Sequence, residues 1–112
     1  MATETIRLKA SLNENGSTEV KALIKHPMET GARIEQSTGE FIPAHFIEEV
    51  VCEHQGKIVM SAIWSAGISK DPYVAFRFKG GKVGDKVKLK WKDNKNESDE
   101  AEVEITLLEK SS

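Results

Sequence analysis

Cys52 and His54 are the nearest approach in this chain to a nucleophile beside a base. A Ser, Cys or Thr nucleophile needs a base within hydrogen-bond reach, and two residues apart on a strand share a face. The surroundings argue against reactivity: a lone cysteine among Val50, Val51 and Met60 behaves as a small buried hydrophobe. His26, His45 and His54, with Cys52, could also converge on iron, copper or zinc, which accept imidazole and thiolate. Their spacing contains no HxH, HxxxH or CxxC pattern. Three unrelated histidines at strand ends and loops is therefore the preferred interpretation, with no metal and no cofactor expected. Gly80, Gly81 and Gly84 resemble a phosphate-cradling loop only superficially, because no helix follows to hold an anion.

Binding residues are the alternative to catalytic ones. Trp64 and Tyr73 flank a turn at Gly67 to Pro72 and could stand exposed at a partner surface, where aromatic side chains carry much of the binding energy. The corner Lys25-His26-Pro27-Met28-Glu29-Thr30 mixes a cation, an imidazole and a thioether. It is either a recognition corner or a turn.

The elements that must position these residues are read from alternation. Ile6, Leu8 and Ala10 alternate with Arg7 and Lys9 up to the turn cluster Asn13-Glu14-Asn15-Gly16. Val20, Ala22 and Ile24 give a second strand that ends at His26-Pro27, since proline donates no ladder hydrogen bond. Met28 to Gly39 lacks a period and is expected to be a long surface loop. Phe41 to Ile47 opens a third strand running toward His54, and Gln55-Gly56 turns it into Lys57 to Trp64. In Tyr73 to Phe78, Val74, Phe76 and Phe78 face a core. After the glycine turn, Val87, Leu89 and Trp91 alternate with Lys86, Lys88, Lys90 and Lys92. These last two strands are expected to pair with each other, and the lysine face to guard an edge against aggregation. A final strand alternates from Ala101 to Leu108. About seven short antiparallel strands without a sustained amphipathic helix indicate an all-β, immunoglobulin-like β-sandwich.

The chain has 112 residues, read as a single domain over 1–112, large enough for one core without disulfides. A net charge of −2 lacks the basic excess of a nucleic-acid binder, so DNA and RNA are discounted as partners. The first residues are too polar for a signal peptide, and no stretch reaches the length of a membrane span. One cysteine leaves the compartment undetermined.

Three groups of residues carry a family resemblance. Lys25 to Gly31, Ile42-Pro43-Ala44-His45-Phe46-Ile47, and Ser69 to Tyr73 continuing through Phe76 to Gly80 and Gly84-Asp85 to Trp91-Lys92-Asp93-Asn94 together closely resemble SoxZ. That family is the small non-catalytic half of the SoxYZ sulfur carrier of bacterial thiosulfate oxidation. The resemblance implies an immunoglobulin-like sandwich in a heterodimer with SoxY, which bears the carrier cysteine on a glycine-rich arm. It implies no catalytic residue here, indirect contact with other Sox enzymes, and export to the periplasm with SoxY rather than by a signal peptide of its own. Cys52 matches no functional position of the family. His26, Met28, His45, Trp64, Tyr73 and Arg77 are expected at or near the SoxY surface, because polar and aromatic residues in such corners serve contact more than packing. The competing expectations are a metalloenzyme using the histidines and an extracellular carbohydrate or adhesion module using Trp64 and Tyr73.

Overall fold

The computed structural model describes residues 5–65 and 67–107. Among these residues eight strands follow one another: β1 (Ile6–Leu12), β2 (Ser17–Ile24), β3 (Ile47–His54), β4 (Lys57–Ile63), β5 (Tyr73–Lys79), β6 (Lys86–Asp93), β7 (Ser98–Glu104) and β8 (Thr106–Leu107). They form two four-stranded sheets, ordered β5-β2-β1-β8 and β4-β3-β6-β7. The architecture is an all-β sandwich compatible with the immunoglobulin-like class. Pairing is antiparallel except for the short β1–β8 ladder, which is parallel.

Local chemistry explains the tight hairpins. Asn13 N–H donates to Ser17 O at 2.8 Å and Gly16 N–H to Asn13 O at 3.1 Å, closing the β1–β2 turn. Gln55 and Gly56 both take positive φ, 50° and 82°, the backbone that a two-residue hairpin loop needs to match the strand twist. Gly81 (φ 95°) is required for a second reason: a Cβ there would run into Thr18 Oγ1 and meet Ile105 Cδ1 at 3.0 Å.

The inward positions fuse into two neighbouring clusters. Ala22, Ile24, Met28, Ile47, Val50, Leu89 and Trp91 form one. Ala10, Val20, Cys52, Val87 and Ile105 form the other. Complete burial of side chains such as Ile24, Ile47 and Leu89 stabilises by about 1.5–3 kcal/mol each relative to exposure.

Several expectations need correction. The strand expected from Phe41 begins only at Ile47; before it, residues 28–46 make just two isolated bridges, Glu29↔His45 and Ile34↔Phe41. Phe41 itself is exposed. Strands β5 and β6 do not pair with each other. β5 joins β2, whereas β6 runs between β3 and β7 in the opposite sheet. The final strand is broken at the buried Ile105, where the chain crosses from one sheet to the other. Leu108, expected in it, lies outside the described residues.

The lysines of β6 are therefore interior to a sheet and guard no edge. Across the outer face, Lys86 meets Glu104 at 2.9 Å, Lys88 meets Glu100 at 3.5 Å and Lys90 meets Glu53 at 2.9 Å. A column of cations lies between two columns of carboxylates, so opposite charges face one another across the strands. The hydrogen bond to Lys90 holds the Glu53 carboxyl below its ordinary range, and the same bond raises Lys90.

Candidate functional site

Two of the three histidines, His26 and His45, meet a residue not counted among the candidate ligands. Inward alternation along β6 through Val87, Leu89 and Trp91 continues to Asp93, an aspartate in an apolar phase. Asp93 is fully buried. Burial raises the energy of its charged form, so partners must compensate. Its Oδ1 accepts the N–H groups of Lys95 at 3.0 Å and Glu97 at 2.8 Å, which shapes the β6–β7 turn. Its Oδ2 lies 2.9 Å from His26 Nε2 and 2.8 Å from His45 Nε2. Burial pushes the Asp93 carboxyl up, but the bonds from His26, Glu97 N–H, His45 and Lys95 N–H outweigh it and hold the carboxyl at about 2.

Each histidine arrives on a different segment. His26 follows β2, where its backbone N–H donates to Asp71 Oδ1 at 2.9 Å and its carbonyl accepts Asp71 N–H at 3.0 Å. His45 precedes β3 and is bridged to Glu29 through backbone bonds of 2.7 and 2.9 Å. The two rings meet edge-on at 4.5 Å, and His26 meets Trp91 at 5.0 Å. His45 Nε2 also lies 2.8 Å from Glu97 Oε1. Asn94 completes the knot by accepting Phe46 N–H at 2.8 Å and donating to Ala44 O at 2.9 Å. The cluster thus ties the end of β2 in one sheet to β3 and β6 in the other.

This donor set, with ligand atoms within 4.8 Å of one another, is one that could hold a metal ion. The second nitrogen of His26 argues against it. Met28 N–H donates to His26 Nδ1 at 3.3 Å, so the proton of the neutral ring sits on Nε2, the atom that faces Asp93. A ligating Nε2 would move that proton to Nδ1, where it would confront the Met28 N–H. Metal-bound histidines instead donate from the other ring nitrogen to an acceptor. Asp93 is already satisfied by four hydrogen bonds. The arrangement is a hydrogen-bonded clamp. Met28 reaches it with a positive φ of 52°, a conformation that tertiary contacts must enforce in a non-glycine residue.

No nucleophile is built from Cys52 and His54. Cys52 is fully buried, and burial, followed by the neighbouring Glu53 charge, pushes its thiol up to about 12. His54 turns to Asp85 Oδ2 at 2.7 Å and stacks on Phe78 at 5.0 Å. Of the six residues singled out for contact, His26 and Met28 are 4% and 6% exposed and act from the interior. His45 lies at the margin of the clamp, and Trp64 is half-buried against the core. Tyr73 is 62% exposed, and it and Arg77 project from the outer face of β5.

The family model of Sulphur oxidation protein SoxZ matches residues 6–104, every strand from β1 to β7. The chain belongs to the SoxZ family. Among curated proteins none matches this SoxZ-family chain. Solved structures similar to it include a single-substitution form of a superoxide reductase (neelaredoxin) from Ignicoccus hospitalis, with a TM-score of 0.63, 17% identity, and coverage of 93% of this chain and 80% of that one. A second superoxide reductase (neelaredoxin) structure from Ignicoccus hospitalis gives a TM-score of 0.62 at 17% identity, covering 95% and 82%. At this identity the likeness concerns the fold alone. The SoxZ-family fold here carries a clamp that gathers His26 and His45 on Asp93.

Proposed function

We propose that this SoxZ-family chain is the non-catalytic partner of a SoxY subunit in a sulfur carrier complex, acting in the periplasm after export together with SoxY. The family match over residues 6–104 carries this reading. Two features of the molecule agree with it. The cysteine is a buried thiol rather than an accessible thiolate, and thiolate is the nucleophilic form. The histidines are engaged with Asp93 and Asp85. A rigid sandwich of this kind contributes surface: it covers part of its partner and holds the base of the partner's mobile arm, while the sulfur is carried elsewhere.

Mixing the purified chain with SoxY and following the mixture by gel filtration tests the pairing; a stable one-to-one complex is expected. Incubation with thiosulfate and an oxidant tests the absence of catalysis. Turnover by the isolated chain, or a persulfide that forms and discharges on Cys52, would overturn the reading. The metalloenzyme alternative predicts stoichiometric iron, copper or zinc in the purified protein, against the hydrogen-bond pattern at His26.

A further inference from the structure

Alternation along β1, β2 and β5 sends one residue in two away from the core, and the ladder register arranges these residues in rows across the sheet. Tyr73, Leu23 and Arg7 form one row, Ala75, Lys21 and Lys9 the next, and Arg77, Glu19 and Ser11 the third. Four cations stand there with a single carboxylate. Glu19 is shared between Arg77 at 3.1 Å and Lys21 at 3.5 Å. Within these rows no carboxylate is left to face Arg7 or Lys9.

Lys9 and Lys21 are directly opposed across the ladder. Like charges so placed destabilise a sheet. The other sheet of the same molecule resolves this problem for Lys90, Lys88 and Lys86, with Glu53, Glu100 and Glu104. The total charge of −2 makes the cationic excess on this one face a local property. At one end of it, Tyr73 and Leu23 stay exposed beside a shallow depression of about 400 Å³ that Arg7, Lys9 and Lys21 also line. An aromatic anchor with arginine and apolar neighbours is the make-up of an interface core. The shallow sheet face with an exposed aromatic suits a protein surface, and the chain lacks the overall basic excess of a nucleic-acid binder.

The geometry points to the outer face of β5-β2-β1 as the docking surface for an acidic protein surface, with Tyr73 entering an apolar recess and carboxylates facing Arg7, Lys9 and Lys21. This inference rests on the reading above, in which the occupant is SoxY. Complementary charge of this kind chiefly sets orientation and association rate, and Tyr73 supplies the contact energy.

Calorimetric titration of SoxY at several salt concentrations tests it. Lys9→Gln/Lys21→Gln is expected to weaken binding about tenfold at low salt and to flatten the salt dependence. Lys88→Gln/Lys92→Gln changes the charge equally on the opposite face and is expected to stay within about twofold. Tyr73→Ala is expected to cost about thirtyfold. Lys9→Glu separates docking from folding, because it turns the Lys9–Lys21 opposition into an attractive pair and leaves the Glu19–Lys21 ion pair in place. It should melt no lower than the parent while binding SoxY more weakly. If SoxY fails to bind the unaltered chain, the partnership itself falls. If SoxY binds and these variants bind equally well, the partnership stands and this face is overturned as its site. Charge-dependent binding of the unaltered chain to anionic phospholipid vesicles or to duplex DNA, with SoxY binding unaffected by the substitutions, also overturns it.

Discussion

The two outer faces of this sandwich both carry lysines, yet on only one do the adjacent strands set carboxylates against them. On β4-β3-β6-β7 the lysines of β6 run between the glutamates of β3 and β7. On β5-β2-β1 Lys9 looks across at Lys21, and the single glutamate is committed to Arg77 and Lys21. The same side chain therefore has two physical meanings, set by what the adjacent strand presents. A lysine column between carboxylate columns is a solvated surface whose exposed ion pairs add little to stability. A lysine opposed to a lysine is a small standing cost that a partner can remove.

The contrast can be broken or sharpened by substitution. The largest effect belongs to the clamp that keeps both faces on one body. Asp93→Ala is expected to destabilise by about 3–5 kcal/mol, since it strands buried polar partners in both sheets; chemical denaturation measures this. The acid limb of stability should report the same residue. A carboxyl held at about 2 when folded and near the ordinary value when unfolded stabilises the fold above pH 4 or so. That contribution is lost as pH falls from about 4 through about 2, a window in which the loss is expected to be smaller for Asp93→Asn than for the parent. Next comes Tyr73→Ala, with its expected thirtyfold loss of SoxY affinity and little change in melting temperature. The paired comparison of Lys9→Gln/Lys21→Gln with Lys88→Gln/Lys92→Gln follows, about tenfold against about twofold. Equal losses from the two pairs would erase the distinction between the faces. The smallest effect is on folding: Lys9→Glu should raise stability by about 0.2–1 kcal/mol, measured as a shift of the urea midpoint.

Much of the fold was legible in the residues. Ile6/Leu8/Ala10 and Val87/Leu89/Trp91 announce their inward faces by period two, and Gln55-Gly56 announces its hairpin. Neighbourhood was not legible, because strand order depends on pairings far apart in sequence. β5 and β6 adjoin in the chain but belong to opposite sheets, so the lysine face of β6 could not be recognised as a neutralised interior column. Nor could Lys9 and Lys21 be seen to oppose each other without the hairpin register. At the clamp, the preferred interpretation of three unrelated histidines fails for His26 and His45, which share Asp93, while Cys52 and His54 lie elsewhere and no role was read for Asp93. The signal was present: Asp93 continues the phase of Leu89 and Trp91, and an acid on an apolar phase must find partners. The corner expected to serve contact holds His26 and Met28 facing inward, since a polar residue in a turn serves the interior as readily as the surface.

The short parallel ladder between β1 and β8 closes one flank of the sandwich, where β1 also runs beside β7, whereas the β4 and β5 borders do not close in the same way. β4 is hydrogen-bonded along one side only. Breathing of the molecule should therefore be lopsided, like a book opening from its fore-edge: in deuterium oxide the amides of β4 and β5 should label first, and those of β6 and β1, nearer the spine, last.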